Sequence, residues 1–117
     1  MFKLVAALMI VCAFAGENDT FYICPPTGMA KHIGNYTATG FQDGISKYTN
    51  KASGVSIYRH NGYWYIGDVT SWPPTTHYRC VSDCEKDGES PPLVQFETNA
   101  KKAKDPAPVI QATPCEA

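Results

Sequence analysis

Val55-Ser56-Ile57-Tyr58-Arg59-His60-Asn61-Gly62-Tyr63-Trp64-Tyr65-Ile66-Gly67 decides the fold. Asn61-Gly62 interrupts two runs rich in β-branched and aromatic residues, and a type I′ turn, which needs positive φ at both central positions, is suited to Asn-Gly. The stretch predicts a hairpin in which His60 faces Tyr63, Arg59 faces Trp64, Tyr58 faces Tyr65 and Ile57 faces Ile66. Side chains alternate between the two faces of a strand. Trp64, Ile57 and Ile66 therefore share a face with Val55 and the stem of Arg59, and they form the expected core anchor. Tyr58, His60, Tyr63 and Tyr65 share the other face. All four carry a polar tip, the chemistry of a surface that is apolar at one end and wet at the other, so they are the candidate binding residues. The competing expectation is that this face packs beneath a second sheet.

The flanking segments extend the β pattern. Phe21-Tyr22-Ile23-Cys24 is a short β-prone piece stopped by Pro25-Pro26, and Tyr36–Thr39 and Ile45–Thr49 are a strand pair around Asp43-Gly44. Beyond the hairpin, Asp68–Trp72 runs into Pro73-Pro74, which cannot lie within a paired central strand. His77–Val81 is the fifth expected strand, and Leu93–Phe96, after Pro91-Pro92, is the sixth. Turn signals recurring roughly every eight to twelve residues, with no clean helical period before Glu97, predict an all-β, single-domain antiparallel sandwich or barrel of about six strands. From Thr98 to Pro114 the chain is rich in Ala, Lys and Pro with almost no aromatic residues, so 98–117 is expected to be a mobile tail.

The N-terminus carries one charge, Lys3, then the apolar run Leu4–Phe14 and the small-residue pattern Ala13-Phe14-Ala15. That is the pattern of a secretory signal peptide over 1–15, too short to span a bilayer, and it leaves 16–97 as the β-rich module of a secreted, extracellular protein. Removing residues 1–15 from the 117 leaves 102. With Lys3 gone, nine Lys and Arg stand against eleven Asp and Glu, a net charge of −2. Nucleic acid and anionic membrane surfaces call for a clustered basic excess that this balance lacks.

Cys12 leaves with the signal peptide, and Cys24, Cys80, Cys84 and Cys115 remain. An even count in a small secreted chain predicts two disulfides, each worth about 2–4 kcal/mol against a total stability of roughly 5–15. Cys24 to Cys80 or Cys84 is the expected staple, because it would close a long loop, with the remaining cysteine capturing Cys115. That makes the protein a monomer; an intermolecular bond through Cys115 is the alternative. Asn18-Asp19-Thr20 and Asn35-Tyr36-Thr37 are N-glycosylation acceptor sequences. Asn18 is the more accessible by position, whereas a strand at Tyr36 could fold Asn35 out of reach.

No catalytic residue and no cofactor is expected. His32, His60 and His77 are scattered, the thiols are consumed by disulfides, and neither Gly-x-Ser-x-Gly nor His-Glu-x-x-His occurs. His77-x2-Cys80-x3-Cys84 matches no standard zinc spacing, and Asp83, Glu85, Asp87 and Glu89 lack the other ligands of an EF-hand, so no metal is expected either.

Gly34–Phe96 resembles a small extracellular module that occurs, singly or repeated, in secreted and multidomain proteins of many invertebrates and aquatic eukaryotes. The resemblance is carried by Gly34-Asn35-Tyr36, Tyr48, Ile57-Tyr58, Gly62-Tyr63-Trp64-Tyr65-Ile66-Gly67-Asp68, Tyr78 and Pro91-Pro92. It departs from the pattern in its first strand, usually Asn-Gly-x-Tyr, and at Phe96, where the module usually has Trp. The resemblance implies a structural or binding unit without catalytic chemistry. The expected function is therefore non-enzymatic, as an extracellular or biomineral matrix component of shell or skeleton type that meets a matrix polymer, glycan or mineral surface. A diffusible disulfide-containing toxin or defence protein, binding a receptor or glycan, is the alternative.

Overall fold

The computed structural model describes residues 19–69, 75–82, 84–99 and 103–116. The segment 1–15 expected to be a signal peptide, Asn18, Trp72 and Asp83 lie outside the described residues. The described chain forms β1 (Thr20–Ile23), β2 (Gly34–Gln42), β3 (Ile45–Thr49), β4 (Val55–His60), β5 (Tyr63–Asp68), β6 (Thr75–Cys80), β7 (Glu97–Thr98) and β8 (Ile110–Gln111), with one 3-10 turn at Ala30–His32. All eight strands join one antiparallel sheet in the order β7-β6-β5-β4-β3-β2-β1-β8.

The β4–β5 hairpin has the register its sequence predicts, from Ile57 opposite Ile66 to His60 opposite Tyr63. Asn61 and Gly62 both have positive φ, 51° and 89°. A Cβ at Gly62 would also stand 2.5 Å from Asp87 Oδ1 and 2.8 Å from Lys86 Cγ, so the loop packed on the turn would have to shift to accept one. The inner face carries Trp64, Ile57 and Ile66, with Phe21, Ile23, Tyr36, Tyr48, Val55, Tyr78, Phe96 and Ile110 packed among them. The sheet curls around this single core instead of splitting into a sandwich. Its two edges meet where Gln95 bridges Val109 and Phe96 N–H donates to the Pro108 carbonyl at 2.8 Å. Eight strands curled into a half-barrel and stitched along one seam thus replace the expected six.

The strand count rises because the expected tail supplies the closing edge. Ile110 is fully buried and pairs with Ile23 of β1, and Ala107 and Pro108 are buried beside it. Upstream, Gly28 N–H donates to the Pro106 carbonyl at 2.8 Å, and the Tyr78 hydroxyl donates to the Lys104 carbonyl at 2.6 Å. The described part of the tail, 103–116, is therefore docked against the barrel. The sixth strand expected at Leu93–Phe96 is correspondingly reduced. Phe96 alone points inward, Leu93 and Val94 are exposed, Gln95 makes only the isolated bridge to Val109, and the strand itself begins at Glu97.

The disulfides join Cys24 to Cys115 and Cys80 to Cys84, which corrects the pairing expected from loop length. β1 and β6 are separated by β2, β3, β4 and β5 across the sheet and by β8 and β7 across the seam, so Cys24 and Cys80 do not meet. Strand β8 instead lies along β1, leaving Cys115 with its Cα 5.5 Å from that of Cys24. Cys80 ends β6, and the turn that follows returns Cys84 to 5.7 Å.

Candidate functional site

The outer face of β4, β5 and β6 gathers the polar aromatic residues. Antiparallel pairing sets Tyr58 opposite Tyr65 and His60 opposite Tyr63, with Arg79 across from Tyr65 on the next strand. The four candidate residues are not equivalent. His60 is exposed, Tyr63 and Tyr65 are half-buried, and Tyr58 is only 1% exposed. Tyr58 stacks on Tyr65 with ring centroids 5.8 Å apart and planes 24° apart, and its hydroxyl lies 2.5 Å from Thr76 Oγ1. Burial raises the pKa of that hydroxyl, and the bond to Thr76 opposes the shift. Tyr58 is thus a floor beneath the surface, while Tyr65, Tyr63 and His60 are its accessible part. A shallow depression of about 240 Å³ lies between Tyr58, His60, Tyr65 and Thr76.

Hydrogen bonds brace the surface on two sides. Toward β3, an outer-face chain of hydroxyls runs from Thr39 to Thr49 (2.8 Å) and from Thr49 to Ser56 (2.7 Å). At the hairpin tip, Arg59 Nε donates to Asp43 Oδ2 at 2.8 Å, Nη2 to the Asp43 carbonyl at 2.8 Å and Nη1 to the Gly88 carbonyl at 2.9 Å. Trp64 Nε1 donates to the same Gly88 carbonyl at 3.1 Å, and Asp87 N–H donates to the Gly62 carbonyl at 2.7 Å. The described part of the acidic loop therefore wraps the β4–β5 turn. Its acidic residues sit on a backbone shaped for that contact, with Asp87 at φ 66°.

The structure also joins two histidines that lie 45 positions apart in the sequence. A bulge opposite the Ile66–Gly67 step inserts His77 as an extra residue of β6 between Thr76 and Tyr78. Side chains at such a bulge are re-aimed, and His77 turns into the interior beside Tyr78. The 3-10 turn delivers His32 to the same place, with Nε2 3.0 Å from His77 Nδ1 and the two rings edge to face. His32 Nδ1 lies 3.3 Å from the Met29 carbonyl, which can only accept, so His32 carries its proton on Nδ1 and His77 donates to His32 Nε2. Burial above all lowers the His32 pKa from 6.5 to about 4, assisted by His77 and Lys31 and opposed by the Met29 carbonyl. The His77 pKa is lowered too, by burial and Lys31, against the opposing charge of Asp68. With exposures of 0% and 4%, the pair offers no surface to a substrate. The bulge and the 3-10 turn together bring these residues into contact, and no local sequence signal marks the bulge.

Of the remaining candidate residues, Asn35 is exposed on β2. Among the described residues no group of three or more His, Cys, Asp or Glu could hold a metal ion. No family model, no curated protein and no solved structure matches this chain.

Proposed function

We propose that the protein is a secreted, non-enzymatic binding or structural module, a component of an extracellular or biomineral matrix, and that it meets its partner through Tyr65, Tyr63 and His60. The Tyr58–Tyr65 stack carries this reading. It is an aromatic step already fixed in place by Thr76 and the hairpin register, so contact with a polymer, glycan or mineral surface orders few side chains. The barrel interior is filled by Trp64, Tyr36, Tyr48, Tyr78 and the isoleucines, which directs recognition to the outside. The two disulfides are compatible with an extracellular location, and among the described residues no helix is long and apolar enough to cross a membrane.

Fractionation of the source tissue with an antibody to the barrel tests the proposal. The protein is expected in the insoluble residue and released on demineralisation or strong denaturation. Recovery wholly in a freely soluble secretion would favour a diffusible effector instead.

A further inference from the structure

We propose that Asn35 carries an N-linked glycan whose first sugar packs on the ring of Tyr22. The acceptor sequence Asn35-Tyr36-Thr37 lies at the start of β2, and strand alternation resolves it cleanly. Tyr36 turns inward and is fully buried, its hydroxyl donating to the His32 carbonyl at 2.6 Å, while Asn35 and Thr37 turn outward together. Asn35 is exposed and its amide makes no hydrogen bond among the described residues. The strand that might have hidden Asn35 presents it instead.

The neighbouring strand supplies the second observation. β1 sets Tyr22 directly opposite Asn35 and Thr20 opposite Thr37, all on the outer face. Residues so paired have Cβ atoms about 4.5–5.5 Å apart, within reach of a sugar bonded to the asparagine. Tyr22 is half-buried and presents an apolar ring with a wet tip, the surface that suits the C–H-bearing face of a pyranose. On its far side Tyr22 pairs with Gln111, whose Nε2 is committed to the Thr113 carbonyl at 2.8 Å. A glycan here lies over β1 and β2 and leaves the tyrosine surface on β4 and β5 clear.

The donor is a lipid-pyrophosphate-linked oligosaccharide. Asn35 Nδ2 bonds to C1 of its reducing sugar, the C1–O bond breaks, the lipid pyrophosphate departs with the electron pair, and the amide nitrogen loses one proton to a base. Thr37 supplies the hydroxyl that the acceptor sequence requires two residues on.

The test expresses the full chain behind an independent secretion signal in a eukaryotic secretory host, so that the result does not depend on the chain's own N-terminus. An amidase that releases N-glycans leaves aspartate at each occupied position, which peptide mapping reads. Aspartate is expected at position 35 in the unsubstituted and Asn18→Gln proteins, and asparagine in Thr37→Ala. Enzymatic removal of the glycan is expected to lower the melting temperature by about 2–5 °C, the shift of roughly half to one kcal/mol in a domain of this size. The difference should vanish in Tyr22→Thr, which keeps a β-branched residue on the strand. Unmodified Asn35 in the secreted, folded protein would overturn the proposal. An unchanged melting temperature on removal, or a difference that persists in Tyr22→Thr, would overturn the packing on Tyr22.

Discussion

Asp43 and Arg59 are joined through both side chain and backbone: Nε of Arg59 meets Oδ2 of Asp43, and Nη2 meets the Asp43 carbonyl, each at 2.8 Å. The same Oδ2 accepts from Gly62 N–H at 2.9 Å. One carboxylate thereby ties the tip of the β2–β3 hairpin to the turn of β4–β5, and Arg59 extends the tie to Gly88. The Gly62 bond, followed by Arg59, holds the Asp43 carboxyl below its ordinary pKa.

Asp43→Ala is therefore expected to lower stability by about 1 kcal/mol, below the roughly 1.5–3 of a charged hydrogen-bonded group because Asp43 is exposed to solvent. Asp43→Asn should cost less, since Asn also tolerates the positive φ of 58° at that position. Because the folded pKa is depressed, the charge contributes fully above the unfolded value near 3.9 and its contribution fades as pH falls through the folded value. Denaturant midpoints of both variants across this range check the ranking and the sign.

The buried histidine pair loses stability in the same direction but over a higher pH window. Unfolded, His32 takes up a proton below pH 6.5; folded, it refuses one until about pH 4. Stability should decline as pH falls through that interval, and the pair's contribution should level off below it. Imidazole chemical shifts followed by NMR will locate the folded titration of His32, expected near 4. A midpoint at or above 6.5 would mean that the pair is not sealed.

The two disulfides should differ in weight. Cys24–Cys115 spans 91 positions and Cys80–Cys84 spans 4. Chain entropy then assigns about 4–5 kcal/mol to the first and about 2 to the second. Cys24→Ala with Cys115→Ala should lower the melting temperature clearly more than Cys80→Ala with Cys84→Ala. Calorimetry on the two double variants decides it.

Trp64 is 1% exposed, and its indole nitrogen bonds to Gly88. Trp64→Ala should cost about 3–5 kcal/mol. Trp64→Phe should cost less while still freeing the Gly88 carbonyl from one donor. Urea unfolding of both variants, set beside Asp43→Ala, separates packing from the polar tie.

How much of this was legible in the sequence varies by segment, and the reasons are local. Asn61-Gly62 fixes a register within one hairpin, so the positions of Ile57, Trp64 and Ile66 follow from alternation alone. The seam does not follow, because in the closing segment 106–111 the β-prone pair Val109-Ile110 is isolated behind Pro106 and Pro108, with no aromatic residue and no alternating run around it. Its pairing with β1 depends on a contact across the whole chain, and Cys115 was the sole local hint that it was tied down. Cysteine pairing failed for the same reason, since loop length ranks entropies but not which strands become neighbours. At the candidate site, alternation separated the faces but could not show that Tyr58 would be the floor and Tyr65 the step. The His32–His77 pair was beyond reach, because a bulge moves His77 out of simple alternation.

The most direct measurement compares the unsubstituted protein with the Tyr63→Ser, Tyr65→Ser double variant on insoluble chitin, collagen fibres and calcium carbonate. Retention by one of these surfaces is expected to fall about tenfold or more in the variant, as two contact tyrosines near 1 kcal/mol each would give. Loss of the Tyr58–Tyr65 stack should cost no more than about 1.5 kcal/mol, so a cooperative melting transition should remain. Equal retention of the two proteins, or a double variant that no longer folds, would contradict the assignment of this face as the contact surface.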